Sequence, residues 1–191
     1  SQIGGVFGVL RWPGTNLVAT NTTVTGTSKQ ETASVGGVVG FLGHECGGKL
    51  TDSYFSGDVV PTYNGQYAGL VAGVSSEGIF ERCFGIGTVH QPTNGVSASG
   101  LGGVVGGIQG TIMKDCYFAG NLETSGTRTG AIVGVALNAY DMEGHRNQNE
   151  LTNVYASGVF KSTSTEAYMP YIGKFDASTL GKAPAITNAY F

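Results

Sequence analysis

Charge is scarce in this sequence. Asp, Glu, Lys and Arg make up 12% of the 191 residues, against about 25% in an ordinary globular domain. The formal net charge of −3 gives no basic field to hold nucleic acid or an anionic membrane. Long apolar runs are also missing: no stretch approaches the ~18 residues needed to cross a bilayer, and no signal peptide is visible. Cysteine occurs only as Cys46, Cys83 and Cys116, an odd number that argues against a disulfide framework. Leu, Ala, Glu and Lys do not dominate, which disfavours a helical bundle. Apolar residues nevertheless reach 40%, so the composition is not that of a disordered chain.

What is abundant is glycine, with 33 residues, more than double the usual ~7%. The glycines do not fall at every third position, which excludes collagen. They punctuate a repeat. One motif runs Gly4-Gly5-Val6-Phe7-Gly8 and returns as Gly36-Gly37-Val38-Val39-Gly40. It returns again as Ala68-Gly69-Leu70-Val71-Ala72, Gly102-Gly103-Val104-Val105-Gly106 and Gly130-Ala131-Ile132-Val133-Gly134. Met169-Pro170-Tyr171-Ile172-Gly173 is a decayed copy. A second motif follows each: Leu50-Thr51-Asp52-Ser53-Tyr54-Phe55-Ser56-Gly57-Asp58-Val59, then copies beginning at Phe80, Met113, Leu151 and Ile186, with a weak one at Ala19–Gly26.

Both motifs read as short strands, rich in Val, Ile, Tyr and Phe and bounded by Gly, Asn, Thr and Ser. In the second, the Cys or Ser, the next aromatic or Gly, the shared Gly and the closing Val or Leu lie two apart and share one face. The Tyr, the Ser or Ala and the Asp or Asn share the other. Asn21, Asp52, Asp115, Asn153 and Asn188 fit turn positions, because Asx side chains bond their own backbone and tolerate left-handed geometry. A unit of about 32 residues cannot bury its apolar face alone, but stacked copies can. The fold expected over 1–191 is a single all-β solenoid, like a parallel β-helix, with about five coils. An antiparallel sandwich also has short, evenly spaced strands, but it predicts no positional repeat.

These motifs resemble the GLUG repeat, through Gly69-Leu70-Val71 and the Gly-Val-Val-Gly copies, and through Asp115-Cys116-Tyr117-Phe118-Ala119-Gly120-Asn121-Leu122. The resemblance implies a non-catalytic module of large secreted or surface proteins of bacteria, including immunoglobulin A peptidases and adhesin-like proteins of gut Bacteroidales. It names no ligand. The chain lacks an initiating Met, opens on a first motif and stops inside a second at Phe191, as expected of a piece of a longer protein with flanking domains. Solenoids need polar caps. None is evident, so unpaired strand edges predict self-association.

The search for chemistry yields little. Cys83 and Cys116 hold one repeat position, shared with Ser53 and Val154, and read as small core residues. His44-Glu45-Cys46 lacks the second His of a zinc-protease helix, and His90 and His145 have no partner at ligand spacing. No metal or cofactor is implied. A glycosidase needs two carboxylates across a cleft, and the 13 acidic residues are scattered. Asp141, Glu143 and Glu150 are the only visible start of such a cluster, so a carbohydrate-active enzyme or its substrate-docking part is the alternative reading. For binding, one aromatic position recurs as Tyr54, Phe84, Tyr117, Tyr155 and Tyr190, expected to face outward as a stripe for a sugar chain or a protein. A polar insertion at Val135–Glu150 carries Tyr140, Asp141, Glu143, His145 and Arg146, and insertions in repeats often emerge on the binding face. The expected function is adhesion, ligand binding or rigid spacing outside the bacterial cell, with a host glycan or an extracellular protein as partner.

Overall fold

A computed structural model describes the chain except for residues 28, 31–32, 44–47, 93–97, 126–127, 138–144, 147, 163–170 and 176–181. It is an all-β solenoid of about five turns with a period of about 33 residues. Every described strand pair is parallel, and strand order within each sheet follows coil order. Each coil visits three sheets. The first holds Gln2–Gly4, Ser34–Gly36, Tyr67–Gly69, Gly100–Gly102 and Thr129–Gly130. The second runs from Phe7–Leu10 through Val39–Gly43, Ala72–Ser76, Val105–Gln109 and Val133–Ala136 to Ile172–Phe175. The third is bent. Its strands come as two limbs in the early coils, such as Lys49–Thr51 with Tyr54–Pro61 and Ile79–Glu81 with Phe84–His90. They run unbroken as Ile112–Thr124 and Glu150–Ser162 later.

Neither motif is one straight strand. The Gly-Gly-Val-Val motif straddles the corner between the first and second sheets. There the N–H groups of Val38 and Val39 both donate to the Val71 carbonyl, at 3.1 and 3.0 Å, and those of Val71 and Ala72 to Val104, at 2.9 and 3.1 Å. Two donors converging on one acceptor let the chain turn while its backbone stays bonded between coils. The second motif bends at its Asx residue.

The motifs also meet inside the coil, and their side-chain volumes are complementary. Phe55 packs against Gly37, where an added Cβ would lie 2.2 Å from the ring. Phe118 packs against Gly103 in the same way, at 2.3 Å. In the coil between them the sizes are exchanged: Leu70 fills the corner, and a Cβ on Gly85 would sit 2.6 Å from the Leu70 Cβ. All three large side chains are fully buried. The core continues up the stack through Val39, Ala72, Val105 and Val133 on the second sheet and Val59, Val89 and Leu122 on the third.

The first coil departs from its expected alignment. Thr15 pairs with Thr51 and Val18 with Tyr54, so Asn16, not Asn21, is the counterpart of Asp52. Asn21 is the extra residue of a bulge, where the register shifts between Thr20 and Thr22. Cys83 and Cys116 are buried and free, and Cys46 lies outside the described residues.

Candidate functional site

The bend of the third sheet sets two rows side by side. At the bend itself Asn16, Asp52, Arg82, Asp115, Asn153 and Asn188 all hold left-handed backbone, with φ of 51–53°. Asn and Asp adopt this readily, whereas a longer side chain is strained there. Arg82 is the exception, and it forms a two-pronged ion pair: Nε donates to Asp52 Oδ1 at 2.6 Å and an Nη to Oδ2 at 2.8 Å. The row then continues by amides. Asn153 Nδ2 donates to Asp115 Oδ1 at 2.8 Å, and Asn188 Nδ2 to Asn153 Oδ1 at 3.0 Å.

One residue further on, the chain points inward as Ser53, Cys83, Cys116 and Val154, all buried. Ser53 Oγ donates to Thr51 O at 2.7 Å and accepts from Leu17 N–H at 3.0 Å, tying the bend together. The Cys116 thiol is pushed well above its ordinary value by burial, so it stays protonated.

The next residue points out again, and here lies the aromatic row. Tyr54, Phe84, Tyr117, Tyr155 and Tyr190 are successive register partners. Tyr54, Phe84 and Tyr117 form a continuous stack, with ring centroids 4.6 Å apart and planes within 5° at both steps. That separation nearly matches the 4.7–4.9 Å between strands, so the stack runs along the solenoid axis. The rings therefore cover one another's faces and show their edges to solvent. The stack ends at Tyr117, since Tyr155 follows in register but, among the described residues, no ring stacks on it. Tyr155 and Tyr190 are 48% and 61% exposed.

Between the polar and aromatic rows lie two open recesses that share Asp115 and Tyr117. One of about 420 Å³ is walled also by Asp52, Tyr54, Arg82 and Phe84. The other, of about 470 Å³, is walled also by Cys116, Asn153 and Tyr155. The Arg82 guanidinium holds the Asp52 carboxyl below its ordinary 3.8, so this carboxylate is ionised at neutral pH and has no proton to give. Burial raises the Tyr117 phenol above its ordinary 10.0. Rigid rings beside fixed hydrogen-bonding groups make this a surface suited to recognition.

The insertion is rooted elsewhere. Arg146 donates from one Nη to the carbonyls of Glu77, Gly78 (3.3 Å) and Gly110 (3.1 Å), and His145 Nδ1 meets Glu77 Oε1 at 2.5 Å. The Glu77 and Gly78 carbonyls belong to the corner ahead of Ile79–Glu81 and the Gly110 carbonyl to the same corner of the next coil, ahead of Ile112–Thr124, one bend earlier in the coil than the aromatic row. Tyr140, Asp141, Glu143, His44 and Glu45 lie outside the described residues. Glu150 begins the strand Glu150–Ser162 and pairs in register with Ile112, also ahead of the bend. Among the described residues no group of three His, Cys, Asp or Glu is placed to hold a metal ion, and no helix is long and apolar enough to cross a membrane.

The sequence pattern found the aromatic row but took Asp52 and Asp115 for turn residues alone. It missed that the turn row borders the rings, and that Arg82, standing where other coils carry Asn or Asp, bridges to Asp52. The signal was present: a cation at an Asx position, flanked in neighbouring coils by two carboxylates. No family model, no curated protein and no solved structure matches the chain.

Proposed function

We propose that this chain is a non-catalytic, extracellular repeat module of a bacterial surface or secreted protein, and that it binds a ligand along the bent face of its third sheet. The observation that carries the reading is the stack of Tyr54, Phe84 and Tyr117 beside the row of Asp52, Arg82 and Asp115. Both rows are pinned by strand pairing and by the contacts within each row, so little freedom is lost when a partner lands on them. The partner is a host glycan or an extracellular protein, for which Tyr supplies an apolar body and a polar tip. The GLUG-like motifs support the extracellular placement. The ionised Asp52 supports recognition over acid catalysis.

The test is a screen of the chain against a glycan array and immobilised extracellular-matrix proteins. Tyr54→Ala/Tyr117→Ala/Tyr155→Ala runs beside it, after circular dichroism has shown that the triple variant still folds. Binding that disappears in the variant is the expected result. No binding to either panel would leave a rigid spacer as the better reading.

A further inference from the structure

We propose that the open end of the ring stack is a discrete subsite for one pyranose ring of a neutral polysaccharide, seated on the face of Tyr117 that points toward the fifth coil. This rests on the ligand-binding reading above and narrows it to one ligand class and one place.

The argument starts from which ring faces are free. Phe84 is covered on both sides, by Tyr54 and Tyr117. Tyr54 lies beside Val18, its partner in the preceding coil. Tyr54 and Tyr117 are the two ends of the stack and each lines a recess, but the recess on the fifth-coil side of Tyr117 holds neither of the other stacked rings and is bordered instead by Asn153 and Tyr155. Sugars bind aromatic residues through the apolar C–H face of the pyranose, which needs an uncovered ring face and not an edge. The recess of about 470 Å³ falls within the ~300–1,000 Å³ of small-molecule sites, and Tyr155 forms its far wall.

The polar side of the recess chooses between sugar and a purely apolar ring. Asp115 and Asn153 line it. One carboxylate oxygen of Asp115 is taken by the Asn153 amide, which holds the carboxylate in place as a strong acceptor for a hydroxyl. An aromatic ligand would shield the other carboxylate oxygen from water without pairing it, at a cost a hydroxyl-bearing ring avoids. Charge disfavours acidic sugars: Arg82 pairs with Asp52, and Asp115 leaves the groups lining the groove with a net negative charge. The second recess, sharing Asp115 and Tyr117, extends the groove past Phe84 and gives room for further residues of a chain.

Titration calorimetry of the whole chain with cellohexaose, xylohexaose, β-1,4-mannohexaose and laminarihexaose, with hexagalacturonate as the acidic comparison, decides the matter. At least one neutral hexasaccharide is expected to bind and hexagalacturonate is not. Tyr117→Ala should weaken binding about tenfold or more, and more than Tyr54→Ala does. Asp115→Asn guards against a folding artefact, because Asn stands at the same turn position in the next two coils. It too should weaken binding about tenfold. Trp12→Ala, an exposed aromatic off the row, should bind as the parent chain does. Loss concentrated in Tyr54→Ala would overturn the end subsite while leaving the aromatic row as the binding surface. Preference for hexagalacturonate, or no binding of any hexasaccharide, overturns the inference, and the protein arm of the earlier screen then judges the broader reading by itself.

Discussion

At Gly87 there is no room for a methyl group. Its φ is 137°, and an added Cβ would lie 1.9 Å from the Gly57 carbonyl oxygen of the coil before. Gly57 and Gly158 share this geometry, with φ of 151°. Gly87→Ala is therefore expected to cost about 3 kcal/mol or more, from backbone strain and overpacking together. Urea denaturation measures it, and a loss under about 0.5 kcal/mol, the size of an ordinary surface change, would refute the account. This glycine was legible as the constant Gly of the second motif. The first coil was not, because it spends two residues, Asn21 and Thr22, where the others spend one. Asn tolerates left-handed backbone at the bulge as well as at the bend, so residue type does not distinguish Asn16 from Asn21.

Between elements, the deciding quantity is volume. The pairs Gly37 with Phe55, Leu70 with Gly85 and Gly103 with Phe118 each join a corner to a strand of the same coil. Gly85→Phe alone should overpack by about 1–3 kcal/mol. Leu70→Gly alone should lose about 3–5 kcal/mol to an unfilled cavity and a freer backbone. The double change rebuilds the arrangement of the neighbouring coils, so it should recover more than 1 kcal/mol relative to the sum of the two. A double-mutant cycle by denaturation checks this, and simple additivity would sink it. The alternation of each motif could be read from the sequence, but the pairing could not. It depends on how far the corner turns the chain back on itself, and that is set by carbonyls of the next coil.

Across the whole molecule the fully buried core lies in the middle coils, and both ends expose apolar side chains. In the first coil Phe7, Val9 and Val18 are 42–43% exposed, and at the other end Tyr190 and Phe191 reach 61% and 62%. Gln2–Gly4 and Phe7–Leu10 at one end, and Ile172–Phe175 and Ala185–Tyr190 at the other, each border their sheet with a single neighbour. Such edges are templates for another parallel strand, and the two ends are complementary in direction. The chain is expected to self-associate end to end. Sedimentation velocity at two concentrations about tenfold apart would show the average mass rising, and an unchanging monomer would count against it.

The sequence by itself determined the all-β solenoid and its coil count, from the residue types and spacing of the repeat, and the two faces of the second motif, from its alternation. In a stack held in register, equal positions in successive repeats become spatial neighbours. Aligning the motifs therefore lines up the ladders, including Tyr54, Phe84, Tyr117, Tyr155 and Tyr190. The Asx positions marked the bend of the third sheet in advance at Asp52, Asp115, Asn153 and Asn188. Only the tertiary structure decided that the Gly-Gly-Val-Val motif is a corner, that among the described residues the ring stack stops at Tyr117, and that Arg146 reaches across 69 positions to the Glu77 carbonyl. Corners, ring orientations and the root of an insertion are each settled by contacts between residues far apart in the chain, and no local pattern of residue types encodes such contacts.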